Sequence, residues 1–129
     1  MDAAPREAHL YQSQSGRCPF EEWLEPLKDV KGRAKIRARI ARARAGNLGK
    51  CESVGEGVFE LKIDFGPGYR VYFGQVGDAM IILLCGGDKS TQAKDIKTAH
   101  EYWADYWRRP HAARKKLSRQ PDEGAEEAF

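Results

Sequence analysis

Gly57-Val58-Phe59-Glu60-Leu61-Lys62-Ile63, followed after a short loop by Gly66-Pro67-Gly68-Tyr69-Arg70-Val71-Tyr72-Phe73, decides the reading of this chain. Side chains of a β-strand alternate between its two faces. One parity holds Phe59, Leu61, Ile63 and Phe65, then Tyr69, Val71 and Phe73 beyond the turn. The other holds Glu60 and Lys62, then Arg70 and Tyr72. A hairpin that buries the first set is expected to display a carboxylate, an ammonium, a guanidinium and a phenol together on an open face. Such a group suits gripping an oxyanion and moving protons beside it.

On either side of the hairpin the pattern changes. Upstream, Phe20, Trp23, Leu24 and Leu27 recur at i, i+3, i+4 and i+7, the spacing of one buried helical face. Pro19 suits the first helical position, where a missing N–H costs nothing. Glu21 and Glu22 suit the positive end of the helix dipole. Pro26 then predicts a kink or a short helix. A second helix is expected over residues 31–45, with a thin stripe of Ile36, Ile40 and Ala43 and a stop at Gly46-Asn47. The two helices read as an antiparallel hairpin. Residues 9–13 read as a first strand and residues 50–54 as a second. Residues 79–85 are apolar on both parities, which predicts a central strand covered on both faces. Gly86-Gly87-Asp88-Lys89-Ser90-Thr91 leads into a last helix, with Asp88 or Ser90 as its cap and Ile96, Ala99, Trp103 and Tyr106 as its core stripe.

The expected class is therefore α+β. A helical hairpin packs on a mainly antiparallel sheet of four to five strands, and one helix follows. The domain is expected to span residues 1–109. Residues 110–129, rich in charge and without apolar period, read as a disordered tail.

Composition narrows the chemistry. At 129 residues the chain holds one domain. No run approaches the ~20 apolar residues that a membrane helix requires, and no apolar leader follows Met1. Cys18, Cys51 and Cys85 show neither metal nor disulfide spacing. The expectations are no cofactor, no metal, no membrane partner and a reducing cytoplasm. Net charge is only +3, yet residues 31–50 carry eight basic side chains and no acidic one. Arg37 and Arg44 belong to this segment, which suits a polyanion or an acidic protein partner.

Several motifs, in order, resemble a known family. They are Phe20-x-x-Trp23-Leu24-x-x-Leu27, Gly46-Asn47-x-Gly49, Val54-Gly55-x-Gly57-Val58-x-Glu60-Leu61, Gly66 to Phe73, and Leu84-Cys85-Gly86-Gly87-Asp88-Lys89-Ser90-Thr91-Gln92. Over about residues 8–107 the chain resembles the phage-derived addiction module killer proteins, the HigB-like branch of the RelE/ParE toxin superfamily.

The resemblance implies a toxin of a type II toxin–antitoxin pair, held inactive by a helix-turn-helix antitoxin. RelE- and HigB-like members are metal-independent endoribonucleases that cut mRNA, usually on the ribosome, and so inhibit translation. ParE-like members poison DNA gyrase without cutting. A degenerate toxin that only binds its antitoxin is the third possibility.

For a nuclease, Arg70, Lys62, Glu60 and Lys89 are the expected catalytic residues. Arg70 and Lys62 match functional positions of RelE-like hairpins, and Lys89 lies near a third such basic residue. Glu60 is the candidate acceptor of the 2′-OH proton. Tyr72, Asp88, Arg37 and Arg44 are the expected RNA-binding residues. The last helix departs from the family pattern, with Asp95 where a tyrosine is expected. His9, His100 and His111 all lie outside the central strands, and His100 reads as a structural histidine.

Overall fold

A computed structural model of the chain describes residues 5–110 together with residues 118 and 119. It is an α+β fold built on one sheet. β1 is Glu7–Tyr11, α1 is Pro19–Leu24 and α2 is Val30–Arg44. β2 (Cys51–Ser53), β3 (Val58–Ile63), β4 (Tyr69–Val76) and β5 (Met80–Asp88) follow, then a 3₁₀ turn over Lys89–Thr91 and α3 over Gln92–Arg108. The strand order is β2-β3-β4-β5-β1, extended by a two-residue strand, β6 (Ser118–Arg119), on β1. β2 through β5 pair antiparallel, while β1 runs parallel to β5. The expected disordered tail thus contributes one short antiparallel pairing with β1. The rest of that expectation falls outside the described residues.

Local signals place the helices much as their chemistry demands. Pro19 opens α1, and Glu21 and Glu22 lie in its first turn. α1 ends before Pro26, the short-helix outcome of that proline. Asp29 caps α2 by accepting the Gly32 N–H at 2.9 Å, and its other oxygen accepts the Tyr69 hydroxyl at 2.7 Å. One carboxylate therefore starts a helix and ties it to β4. At the far end the Asn47 N–H reaches the Arg42 carbonyl and the Gly46 N–H that of Ala43. Gly46 takes φ +101 to make this paired closure.

Both faces of the sheet are covered. On one side Phe20, Leu24, Ile36, Ile40 and Ala43 of α1 and α2 pack against Leu10, Leu61, Val71, Phe73, Ile81 and Leu83. On the other, Ala99, Trp103 and Tyr106 of α3 pack against Tyr11, Val58, Tyr72, Ile82 and Leu84. β5 is buried on both faces, as its apolar parities predict. It also carries a bulge: Tyr72 pairs with Cys85 and Phe73 with Leu83, leaving Leu84 as the extra residue. Leu84 and Cys85 consequently both join the α3 side.

This layering corrects one expectation. The face that carries Glu60 and Tyr72 is not open. Glu60 is 1% exposed and Tyr72 fully buried. The reason is shared parity: Val58, Ile82 and Leu84 present an apolar surface on the same face, and the stripe of α3 buries itself there.

Candidate functional site: a basic rim over a buried carboxylate

Glu60 lies on β3, Arg70 and Tyr72 on β4, and Gln92 at the first position of α3. Glu60 Oε2 accepts the Tyr72 hydroxyl at 3.0 Å and the Gln92 side-chain amide at 2.8 Å. Arg70 Nε lies 3.7 Å from the same oxygen, an ion pair longer than a hydrogen bond. Glu60 Oε1 and Arg70 Nε are buried with no hydrogen-bond partner among the described residues. Arg70 is held from the other end by donating Nη1–H to the Gly68 carbonyl at 3.0 Å. The guanidinium is thus clamped between a loop carbonyl and a buried charge, with its side chain 12% exposed. Burial, followed by the charge of Glu60 and their hydrogen bond, pushes the Tyr72 phenol well above its ordinary range. A group so buried can neither stack on a base nor bind RNA, which corrects the role expected of Tyr72. Glu60 cannot reach a substrate hydroxyl either. Its contact with the site is through Arg70.

Arg70 and Lys62 are cross-strand partners in register, so both belong to the same face of the hairpin. Lys62 is one-third exposed and pairs with Glu52 at 3.3 Å. Lys89 opens the 3₁₀ turn and is exposed. A Cβ placed on Gly68 would lie 3.4 Å from both Arg70 Nη1 and Lys89 Cβ, so the loop, the guanidinium and the turn meet at one point. Lys62, Arg70 and Lys89 form a basic rim where the sheet emerges beside the start of α3. Asp88 caps the 3₁₀ turn and not α3 itself, accepting the Ser90 N–H at 2.8 Å; the N-cap of α3 is Thr91, which makes no side-chain cap bond. The cap engages Oδ1 of Asp88, which is half-exposed.

Arg37 and Arg44 belong to α2, on the opposite layer, where both are half-exposed and engaged. The fold does not bring them to Arg70. His100 Nε2–H donates to the Val54 carbonyl at 2.9 Å, a structural role as expected. Gln92 is the member of the network to which the sequence assigns no part. Its signal was its position directly after the Gly-Gly-Asp-Lys-Ser-Thr turn, which puts a side-chain amide at the edge of the sheet. Among the described residues no group of three or more His, Cys, Asp or Glu is placed to hold a metal ion, and no helix is long and apolar enough to cross a membrane.

No family model matches the chain. It is 56% identical over 80 residues to a protein of Haemophilus influenzae named only "Uncharacterized protein", an alignment that covers 62% of this chain and 81% of that one. The chain belongs to the same family as that protein, whose name states no activity.

Proposed function

We propose that the chain is the toxin of a type II toxin–antitoxin pair, of the HigB-like branch of the RelE/ParE superfamily. In this reading α1 and α2 are its helical hairpin, and it cuts mRNA without a metal. The observation that supports it best is the in-register pairing of Lys62 with Arg70, with Lys89 completing the rim. In the reaction the ribose 2′-oxygen bonds to the adjacent phosphorus, the P–O5′ bond breaks, and the 2′-OH proton passes to solvent while the 5′-oxygen takes one up. Arg70 presents a planar fork to the phosphate oxygens. Glu60 fixes its orientation from behind. One donor preset on developing charge contributes ~3–4 kcal/mol, and alignment of the 2′-oxygen ~7–11 kcal/mol. The partners in this reading are ribosome-bound mRNA and a helix-turn-helix antitoxin in the cytoplasm.

A second reading, a non-enzymatic gyrase poison, draws on one specific observation: Glu60 and Tyr72, two groups expected to handle protons or bases, are withdrawn from solvent. Inducing wild type, Arg70→Ala and Arg70→Lys, with RNA ends sequenced and plasmid supercoiling assayed in parallel, separates the two. The nuclease reading expects new 5′ ends with wild type and their loss in both variants, each melting cooperatively. Supercoiling inhibition with intact mRNA would replace it by the second reading.

A further inference from the structure

A second cationic feature lies in the other layer, away from Arg70. Lys35, Arg39 and Arg42 fall at i, i+4 and i+7, on one face of α2. With residues 47–50 and the end of β3 they line an open groove of about 480 Å³. Arg39 is the fixed element. It is 4% exposed. Its Nη2 donates to the carbonyls of Leu48 and Lys50. Its Nη1 has no hydrogen-bond partner among the described residues. Its partners among the described residues are carbonyl oxygens and not a carboxylate, so none of them neutralises the buried positive charge. Burial, and next the neighbouring charge of Arg42, push its pKa down, the direction for a cation that lacks an anion. Gly49 sits against this guanidinium at φ +56, and a Cβ there would come 2.7 Å from Nη2. The loop is therefore shaped around Arg39. Lys35 Nζ stands 5.4 Å over the Phe65 ring, and Lys50 makes a 3.5 Å pair with an exposed Asp64.

We propose that this groove binds a phosphate group, with Arg39 as its preset guanidinium and with Lys35 and Arg42 closing on it from the rim. A guanidinium fork matches phosphate oxygens, and charge-assisted bonds to a tetrahedral anion would serve the nitrogen now left without a partner. The phosphate can come from free phosphate or from a polynucleotide backbone. Lys62 of the basic rim also lines the groove, but the proposal does not depend on the nuclease reading, because its preset guanidinium is Arg39 on α2 and not Arg70 on β4.

The test is a titration of the ¹⁵N-labelled full chain with sodium phosphate at constant ionic strength, with chloride as the matched control. Saturable shifts are expected at the Gly49 amide and the Arg39 side-chain N–H. The Lys35→Ala/Arg42→Ala variant, whose changes lie at the rim, should melt like wild type and bind phosphate at least about tenfold more weakly. Displacement of phosphate by a short oligoribonucleotide identifies a backbone source, and its retention identifies free phosphate; either outcome supports the site. Equal shifts with chloride, or undiminished binding by the double variant, would overturn it. That failure leaves an Arg70-dependent growth arrest intact, so the two readings fall separately.

Discussion

The two faces of the sheet solve the same packing problem with different chemistry. Each receives a tryptophan onto a strand glycine: Trp23 over Gly86 on the α1 side, Trp103 over Gly74 on the α3 side. Around Trp23 the layer is apolar, and its buried cation, Arg39, lies on α2. Around Trp103 the same sheet also encloses Glu60, Tyr72 and, at its margin, Arg70. An apolar face is stabilised by burial alone and tolerates loss of one contact. A face that encloses a charge is stable only while every partner is present. On the α3 face the enclosed charge is a carboxylate shared by several partners, so a change there can be both destabilising and functional.

The largest test of this contrast is removal of the buried carboxylate. Glu60→Ala leaves Arg70, the Tyr72 hydroxyl and the Gln92 amide without their shared acceptor, and should cost ~3–5 kcal/mol in urea unfolding. Replacing both charges, as in Glu60→Leu/Arg70→Met, should recover most of that loss while leaving the protein unable to arrest growth. A loss near zero for Glu60→Ala would mean that the carboxylate is no more than a spectator.

The two glycines offer a paired test of intermediate size. A methyl group at Gly74 overlaps the Trp103 ring, which is 6% exposed and stacked on Tyr106 at 5.2 Å. Overpacking there should cost ~1–3 kcal/mol. Gly86→Ala meets Trp23, which is half-exposed and can swing outward, so a smaller loss is expected in the same assay. Equal losses would show that the two tryptophan contacts are equally rigid.

The smallest effect concerns Tyr69, on the apolar side. Its hydrogen bond to Asp29, followed by burial, pushes the phenol up to about 12. Because the folded value lies above the ordinary 10.0, this group favours the fold below pH 10, and its share is lost as pH rises toward 12. Tyr69→Phe should thus be slightly less stable at pH 8 and lose less stability than wild type between pH 9 and 11, read from urea midpoints. Parallel profiles would remove the Asp29–Tyr69 bond from the account of how α2 is held to β4.

Much of this was legible in one dimension. The hairpin registers, the stop at Gly46, the short first helix and the stripe of α3 all follow from periods of 2.0 and 3.6 and from capping chemistry, which act within a few residues. The α+β class followed from their order. Among the site residues, Lys62 and Arg70 were readable as neighbours on one face, since parity and a short loop set their register. Glu60 and Tyr72 were misread as exposed. Val58 shares their parity and already hinted at a covered face. The bulge at Leu84 was hidden, because an apolar run looks the same with or without an extra residue.

What the chain determined by itself is which side chains stand on the same side of each strand and helix, because alternation and helical pitch are local geometry. Only the tertiary structure decided which of those sides meets water. That depended on where α3 came to rest, more than thirty residues downstream of Glu60, and on whether Gln92, Tyr72 and Arg70 arrived together to make a buried carboxylate tolerable. Burial is a property of surfaces brought together from distant segments, and no local pattern carries it.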